Sequence, residues 1–135
     1  MESSSFLERR RLPRHSTELP IDLWQTPYVI QEGVVTDMTE IGLGFRSIHE
    51  FQVGDDLRIE VFLSRGEFQL DSIEGTGRII WGTPLREQDW KGYRYGMYIL
   101  EMALYSRDKL LKYIKMLEKE ESSTGLKNRR MGHET

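Results

Sequence analysis

The sequence predicts an all-β domain, an antiparallel barrel of about six strands, with a single helix at its C-terminal end. Three observations carry that expectation. Apolar residues recur at every second position in short runs between Leu19 and Met102, Gly, Pro and Asp interrupt those runs at spacings that suit turns, and the period changes to a helical one after Ser106. An open sheet of this size would expose two strand edges, and closing it into a barrel removes them.

Residues 1–16 hold few large apolar side chains and include Pro13, so they read as an irregular arm ahead of the folded body, residues 17–121. Strands are expected near Leu19–Trp24, Tyr28–Asp37 and Ile41–Arg46. The clearest runs from Leu57 to Leu63, where Leu57, Ile59, Val61 and Leu63 alternate with Arg58, Glu60 and Phe62. Ser64, Arg65, Gly66 and Glu67 suit a hairpin turn into a second long strand ending around Ile79, Ile80 and Trp81. The polar stretch Pro84–Gly92 reads as a loop, and Arg94–Met102 as the last strand. Past Ser106, a residue type suited to an N-cap, Leu110, Ile114 and Leu117 repeat at helical spacing with Leu111 beside them, and Lys109, Lys112, Lys115 and Glu118 lie between. The expected role of that apolar stripe is to cover an open end of the barrel. The tail, residues 122–135, is polar and expected to be disordered.

A chain of 135 residues is one ordinary domain, and 38% apolar with 30% charged residues excludes both a wholly disordered and a membrane-embedded chain. No run approaches the roughly 20 apolar residues of a spanning helix, and the opening MESSSFLERR lacks the apolar stretch of a secretory signal, so a cytoplasmic location is expected. With 0 cysteines there are no disulfides and no thiolate metal sites. His15, His49 and His133 are far apart in sequence and none stands in a metal-ligand spacing. Gly42-Leu43-Gly44 lacks the third glycine and the strand-to-helix context of a dinucleotide fingerprint. Asp55 and Asp56 are neighbours on a turn signature and, in a strand, would face opposite ways. The expectation is a chain that is not an enzyme and carries no metal and no cofactor.

Two segments are left unexplained by folding: the arginine-rich arm Glu8-Arg9-Arg10-Arg11-Leu12-Pro13-Arg14, and Asp37-Met38-Thr39-Glu40-Ile41-Gly42-Leu43-Gly44-Phe45. The net charge of −3 argues against a protein that coats nucleic acid, whereas positive charge is concentrated in the arm. Along Ile41–Arg46 the side chains Ile41, Leu43 and Phe45 share one face, which leaves Gly42 and Gly44 on the other. Those glycines suit either a close ligand approach or a bulge in the barrel strand.

Together the two segments resemble the paired signature of the PilZ family, R-x-x-x-R followed by [D/N]-x-S-x-x-G, here Arg10, Arg14, Asp37, Thr39 and Gly42. Gly54-Asp55 before an alternating strand, the Ile79-Ile80-Trp81 strand end and Tyr95-Gly96-Met97 extend the likeness, which covers roughly residues 8–117. The resemblance implies a PilZ-like barrel that binds cyclic di-GMP, changes conformation and signals to an unidentified protein effector in trans. It assigns ligand binding to Arg9, Arg10, Arg14, Asp37, Thr39 and Gly42. In that family an arginine before the first motif arginine goes with a stacked pair of ligands, so Arg9 implies two nucleotides per chain. The chemistry suits the ligand: guanidinium groups fork onto phosphate oxygens or guanine O6 and N7, a carboxylate accepts from guanine ring and amino hydrogens, and a hydroxyl adds one contact. The chain departs from the motif at Thr39, which keeps the hydroxyl of the usual serine and adds a methyl group. Two alternatives remain: a PilZ-like interaction module without nucleotide binding, and a small β-barrel that binds nucleic acid through the basic arm.

Overall fold

The computed structural model describes residues 15–65 and 69–134. Six antiparallel strands close into a barrel and a helix follows: β1 (His15–Thr26), β2 (Val29–Met38), β3 (Gly42–Ser47), β4 (Asp56–Arg65), β5 (Gln69–Glu87), β6 (Trp90–Met102) and α1 (Leu104–Glu134). The strand order around the barrel is β1-β2-β3-β6-β5-β4.

Period-two alternation decides which side chains enter the barrel. Ile21 and Leu23 of β1, Val35 of β2, Phe45 of β3, Leu57 to Leu63 at alternate positions of β4, Ile73 and Ile79 of β5, and Tyr95 to Ile99 at alternate positions of β6 are all buried. The helix closes one end: Leu110, Tyr113, Ile114 and Leu117 are buried with them in one cluster. Tyr113 adds a polar tie, its hydroxyl lying 2.8 Å from Thr17 Oγ1 on β1. At the connection after β3, Phe45, Phe51 and Tyr95 pack ring against ring. The Tyr95 hydroxyl donates to His49 O at 2.9 Å and accepts from Phe51 N at 2.8 Å. Burial pushes the Tyr95 phenol above its ordinary pKa.

The structure differs from the sequence expectation at three places. Residues 84–92 are not a loop: Pro84 pairs with Tyr93, Leu85 with Gly92, Arg86 with Lys91 and Glu87 with Trp90, and Gln88 turns the chain with a φ of 45°. Proline is tolerated there because β4 pairs with β5 only as far as Arg78, so the outer end of β5 is an edge with no second neighbour among the described residues to receive an N–H. The helix starts at Leu104, ahead of Ser106. Ser106 is fully buried, and its hydroxyl accepts from Glu74 N on β5 at 3.2 Å instead of capping the helix. The backbone of α1 runs to Glu134. β1 begins at His15, within the stretch read as arm.

Asp55 and Asp56 have the structural roles their turn context predicts. The Asp55 carboxylate accepts from Gln52 N and Gln25 Nε2, both at 2.9 Å, and Asp56 pairs with Arg78 at 2.7 Å and 3.1 Å.

Candidate functional site

Strand register builds the site. Trp81 on β5 pairs with Gly96 on β6, Gly96 with Gly44 on β3, and Gly44 with Asp37 on β2, so four neighbouring strands set one row across the outside of the barrel. Two irregularities bring the ends of that row to the outer face: a register shift between Val35 and Asp37, and another between Ile79 and Trp81. Met38 and Leu43 point inward beside them and are buried.

The two glycines between are what allow both end residues to lie down. A methyl group on Gly44 would collide with the Asp37 carboxylate, and one on Gly96 would collide with the indole of Trp81 around Nε1. Of the strand face expected to be bare at Gly42 and Gly44, the Gly44 position is therefore covered by Asp37, and Trp81 covers Gly96 beside it. Asp37, Met38, Thr39, Gly42, Leu43, Gly44, Trp81 and Gly96 together line one cleft, which encloses ≈ 20 Å³, room for about one water molecule.

Thr39 shapes the rim of that cleft from the β2–β3 turn. Its hydroxyl accepts from Ile41 N at 3.3 Å and Gly42 N at 3.2 Å and donates to Gly42 O at 3.3 Å, while Thr39 N donates to the same carbonyl at 2.9 Å. A hydroxyl has one hydrogen to donate and two lone pairs, and all three are engaged inside the turn. Its place in the motif thus has a structural account: it folds the turn that holds Asp37 and Gly42 side by side. The turn is tied to the helix as well, Arg107 Nη1 lying 3.4 Å from Glu40 O.

Of the residues singled out in the sequence, Asp37, Thr39 and Gly42 come together at the cleft. Arg9, Arg10 and Arg14 lie outside the described residues. Trp81 and Gly96 have no site role in the sequence reading, where Gly44 enters only beside Gly42 as a position bare of side chain. A tryptophan closing an apolar strand run, opposite a glycine on the neighbouring strand, is the signal that would have found them, because an aromatic ring commonly covers a strand glycine. Among the described residues no group of His, Asp and Glu side chains is arranged to hold a metal ion. No helix among them is long and apolar enough to cross a membrane.

The family model described as the PilZ domain matches residues 8–116. The solved PilZ domain with c-di-GMP of YcgR from Escherichia coli superposes with a TM-score of 0.67 at 18% identity, covering 87% of this chain and 97% of that one. The Bacillus subtilis inhibitor of motility MotI/DgrA gives a TM-score of 0.66 at 18% identity, covering 83% of this chain and 52% of that one, so this chain spans about half of that protein. At these identities the likeness bears on the fold. A comparison with curated proteins returns no match.

Proposed function

The chain belongs to the PilZ domain family, and from that premise we propose that it is a receptor for cyclic di-GMP, a binding module and not an enzyme. The observation that carries the reading is the cleft itself: the acidic residue, hydroxyl residue and glycine of the motif meet on one outer face, beside an indole and in front of two glycines. YcgR, whose PilZ domain was solved with c-di-GMP, shares the fold.

The division of labour follows from the side chains. Asp37 accepts hydrogen bonds from the ring N–H and amino group of a guanine, which a cation would repel. Trp81 offers a ring against which a base stacks, worth about 1–3 kcal/mol per base in nucleic-acid complexes. Thr39 holds the turn, and Gly42 keeps the rim free of a side chain. The cleft has room for little more than water, so the base lies across its mouth. Arg10 and Arg14 close over the ligand from the N-terminal arm and fork onto phosphate oxygens or guanine O6 and N7.

Ordering the arm costs on the order of 1–2 kcal/mol per residue, and one good bidentate arginine contact returns roughly 1–3 kcal/mol, so several contacts must act together. The ordered arm is the signal: it changes which surface a protein effector meets, in the cytoplasm, with the ligand contacts as the driving energy. Arg9 extends the reading to a stacked pair of nucleotides.

Calorimetric titration with cyclic di-GMP tests the reading. The wild-type chain is expected to bind, with two nucleotides per chain, and Asp37→Ala, Arg10→Ala and Arg14→Ala are each expected to weaken binding about 5-fold to 150-fold, the range of 1–3 kcal/mol. A wild-type chain that ignores the nucleotide would make this an interaction module without a ligand, and steep salt-dependent retention of oligonucleotides instead would favour a nucleic-acid-binding barrel.

A further inference from the structure

The register of β3 and β6 runs unbroken from Gly42↔Tyr98 to Ser47↔Tyr93. Since alternate residues share a face, Arg46 and Arg94 lie on the same outer surface as Gly44 and Gly96, one residue pair further on and directly opposite each other. That step is about 6.6–6.8 Å along the strands.

Neither side chain belongs to the core, and their guanidinium groups part along the strands. Arg46 turns toward the β5–β6 turn, where its Nη1 lies 3.3 Å from Glu87 Oε2 and its guanidinium 5.6 Å from the Trp90 ring centre. Arg94 is exposed and turns toward the cleft, where its contact is with the Trp81 ring, 5.8 Å from guanidinium carbon to ring centre. Trp81 therefore borders the glycine floor and touches Arg94 as well.

We infer that Arg94 is an anion contact adjoining the cleft, which holds a phosphodiester of the nucleotide whose base lies at Asp37 and Trp81. The inference rests on the reading of the cleft as a cyclic di-GMP site. Arg94 lies over the Trp81 ring at the edge of the cleft, and a planar guanidinium matches two phosphate oxygens at once. Arg94 has no carboxylate partner among the described residues, whereas Arg46 is engaged with Glu87 on the far side. Phosphate bound on the barrel wall leaves the arm arginines free for the edges of the guanines.

The experiment is a calorimetric titration of the full chain with cyclic di-GMP at several salt concentrations, for wild type, Arg94→Gln, Arg94→Lys and Arg46→Gln. Arg94→Gln is expected to weaken binding about 10-fold to 150-fold, the size of one hydrogen-bonded charge contact. It should also flatten the fall of affinity with salt, because each phosphate contact adds to that slope. Arg94→Lys should keep the slope with a smaller loss, and Arg46→Gln, whose charge is engaged with Glu87 away from the cleft, should bind as the wild type does. Arg94 is exposed and outside the core, so Arg94→Gln leaves the melting temperature unchanged, which separates lost contact from lost fold. Undiminished affinity and slope in Arg94→Gln, with the wild type binding normally, overturns the subsite. Lost affinity at an unaltered slope overturns it too, because it assigns Arg94 to steadying Trp81. A wild-type chain that does not bind overturns the receptor reading itself.

Discussion

The barrel carries two four-residue rows on its outer surface, and they are built on opposite principles. Across β5, β6, β3 and β2 runs Trp81–Gly96–Gly44–Asp37. Across β2, β1, β4 and β5 runs Glu32–Asp22–Glu60–Glu74, each residue paired with the next. The second row is an ordinary polar face in one respect, since every position holds a solvated side chain. It crowds carboxylates at cross-strand distances, and burial together with Glu32 and Glu60 holds the Asp22 carboxyl above its usual pKa. The first row has lost the side chains from its two middle positions, and register shifts turn its outer residues onto the wall. The comparison teaches that this fold makes a recognition surface by subtraction: the strand ladder is kept, the middle side chains are deleted, and an aromatic ring and a carboxylate lie down in the space.

Restoring a side chain in the first row should therefore weaken recognition without unfolding the protein. The largest effect is expected from Gly44→Ala. Its methyl group meets the end of a short, half-buried side chain that can rotate away, so the thermal midpoint should hardly move while the Asp37 carboxylate leaves its position. Cyclic di-GMP affinity should fall roughly 10-fold to 150-fold, the value of about 1.5–3 kcal/mol for a hydrogen bond to a charged group. Gly96→Ala should act in the same direction through Trp81, with a shift in the tryptophan emission of the empty protein as its sign. Retained affinity in both variants, measured by titration, would mean that the glycine positions do not make the recognition surface.

An intermediate effect is expected at the turn between the two ends of the motif. Thr39→Val preserves the shape and removes the hydroxyl that Ile41 N, Gly42 N and Gly42 O share. Losing it should destabilise the protein by about 1 kcal/mol, the cost of stranding polar groups in a partly buried turn, and the denaturant midpoint reads this directly. Thr39→Ser keeps the hydroxyl and should match the wild type in stability. A Thr39→Val protein of unchanged midpoint that binds more weakly would return the hydroxyl to the ligand and remove it from the turn.

These two rows also show which parts of the molecule could be read from sequence. The alternation of Leu57 to Leu63 sets both the strand and its buried face, because β4 pairs with β5 along its whole length and with β1 from Arg58 to Val61, and only its inner positions face the core. The end of the β5–β6 hairpin was hidden for the opposite reason: beyond Arg78 one strand has no second neighbour, so Pro84 and polar residues sit in it at no cost, and composition there imitates a loop. At the site, Asp37, Thr39 and Gly42 stood out as a spaced motif. Trp81 did not, because the shift between Ile79 and Trp81 breaks the period-two phase that sequence reading depends on. Gly44 stood out beside Gly42 as a bare position, but Gly96 acquires meaning only once β3 and β6 are paired. A row that spans four strands is a property of register, and register between strands distant in sequence is not written in any one of them.

The smallest expected effect tests the second row. Asp22 makes no hydrogen bond among the described residues, and Glu32 and Glu60 flank it on the adjacent strands. Its pKa is raised in the folded state, so the folded protein holds a proton there more tightly than the unfolded chain does. The stability tied to that proton is fully present below the ordinary aspartate pKa of about 3.9 and is lost as pH rises through the higher folded value. At neutral pH the carboxylate is therefore a net cost, reduced by solvent screening because the group is only half-buried. Asp22→Asn keeps the shape and removes the charge, so it should stabilise the protein at pH 7 by a few tenths of a kcal/mol, within the range of about 0.2–1 kcal/mol for cross-strand charge pairs. The gain should shrink as pH falls and vanish near pH 3, and denaturant midpoints at the two pH values measure it. Cyclic di-GMP affinity should not change, since this row is on another face of the barrel. A gain that persists unchanged at pH 3 would mean that packing, and not charge, sets the energy of that face.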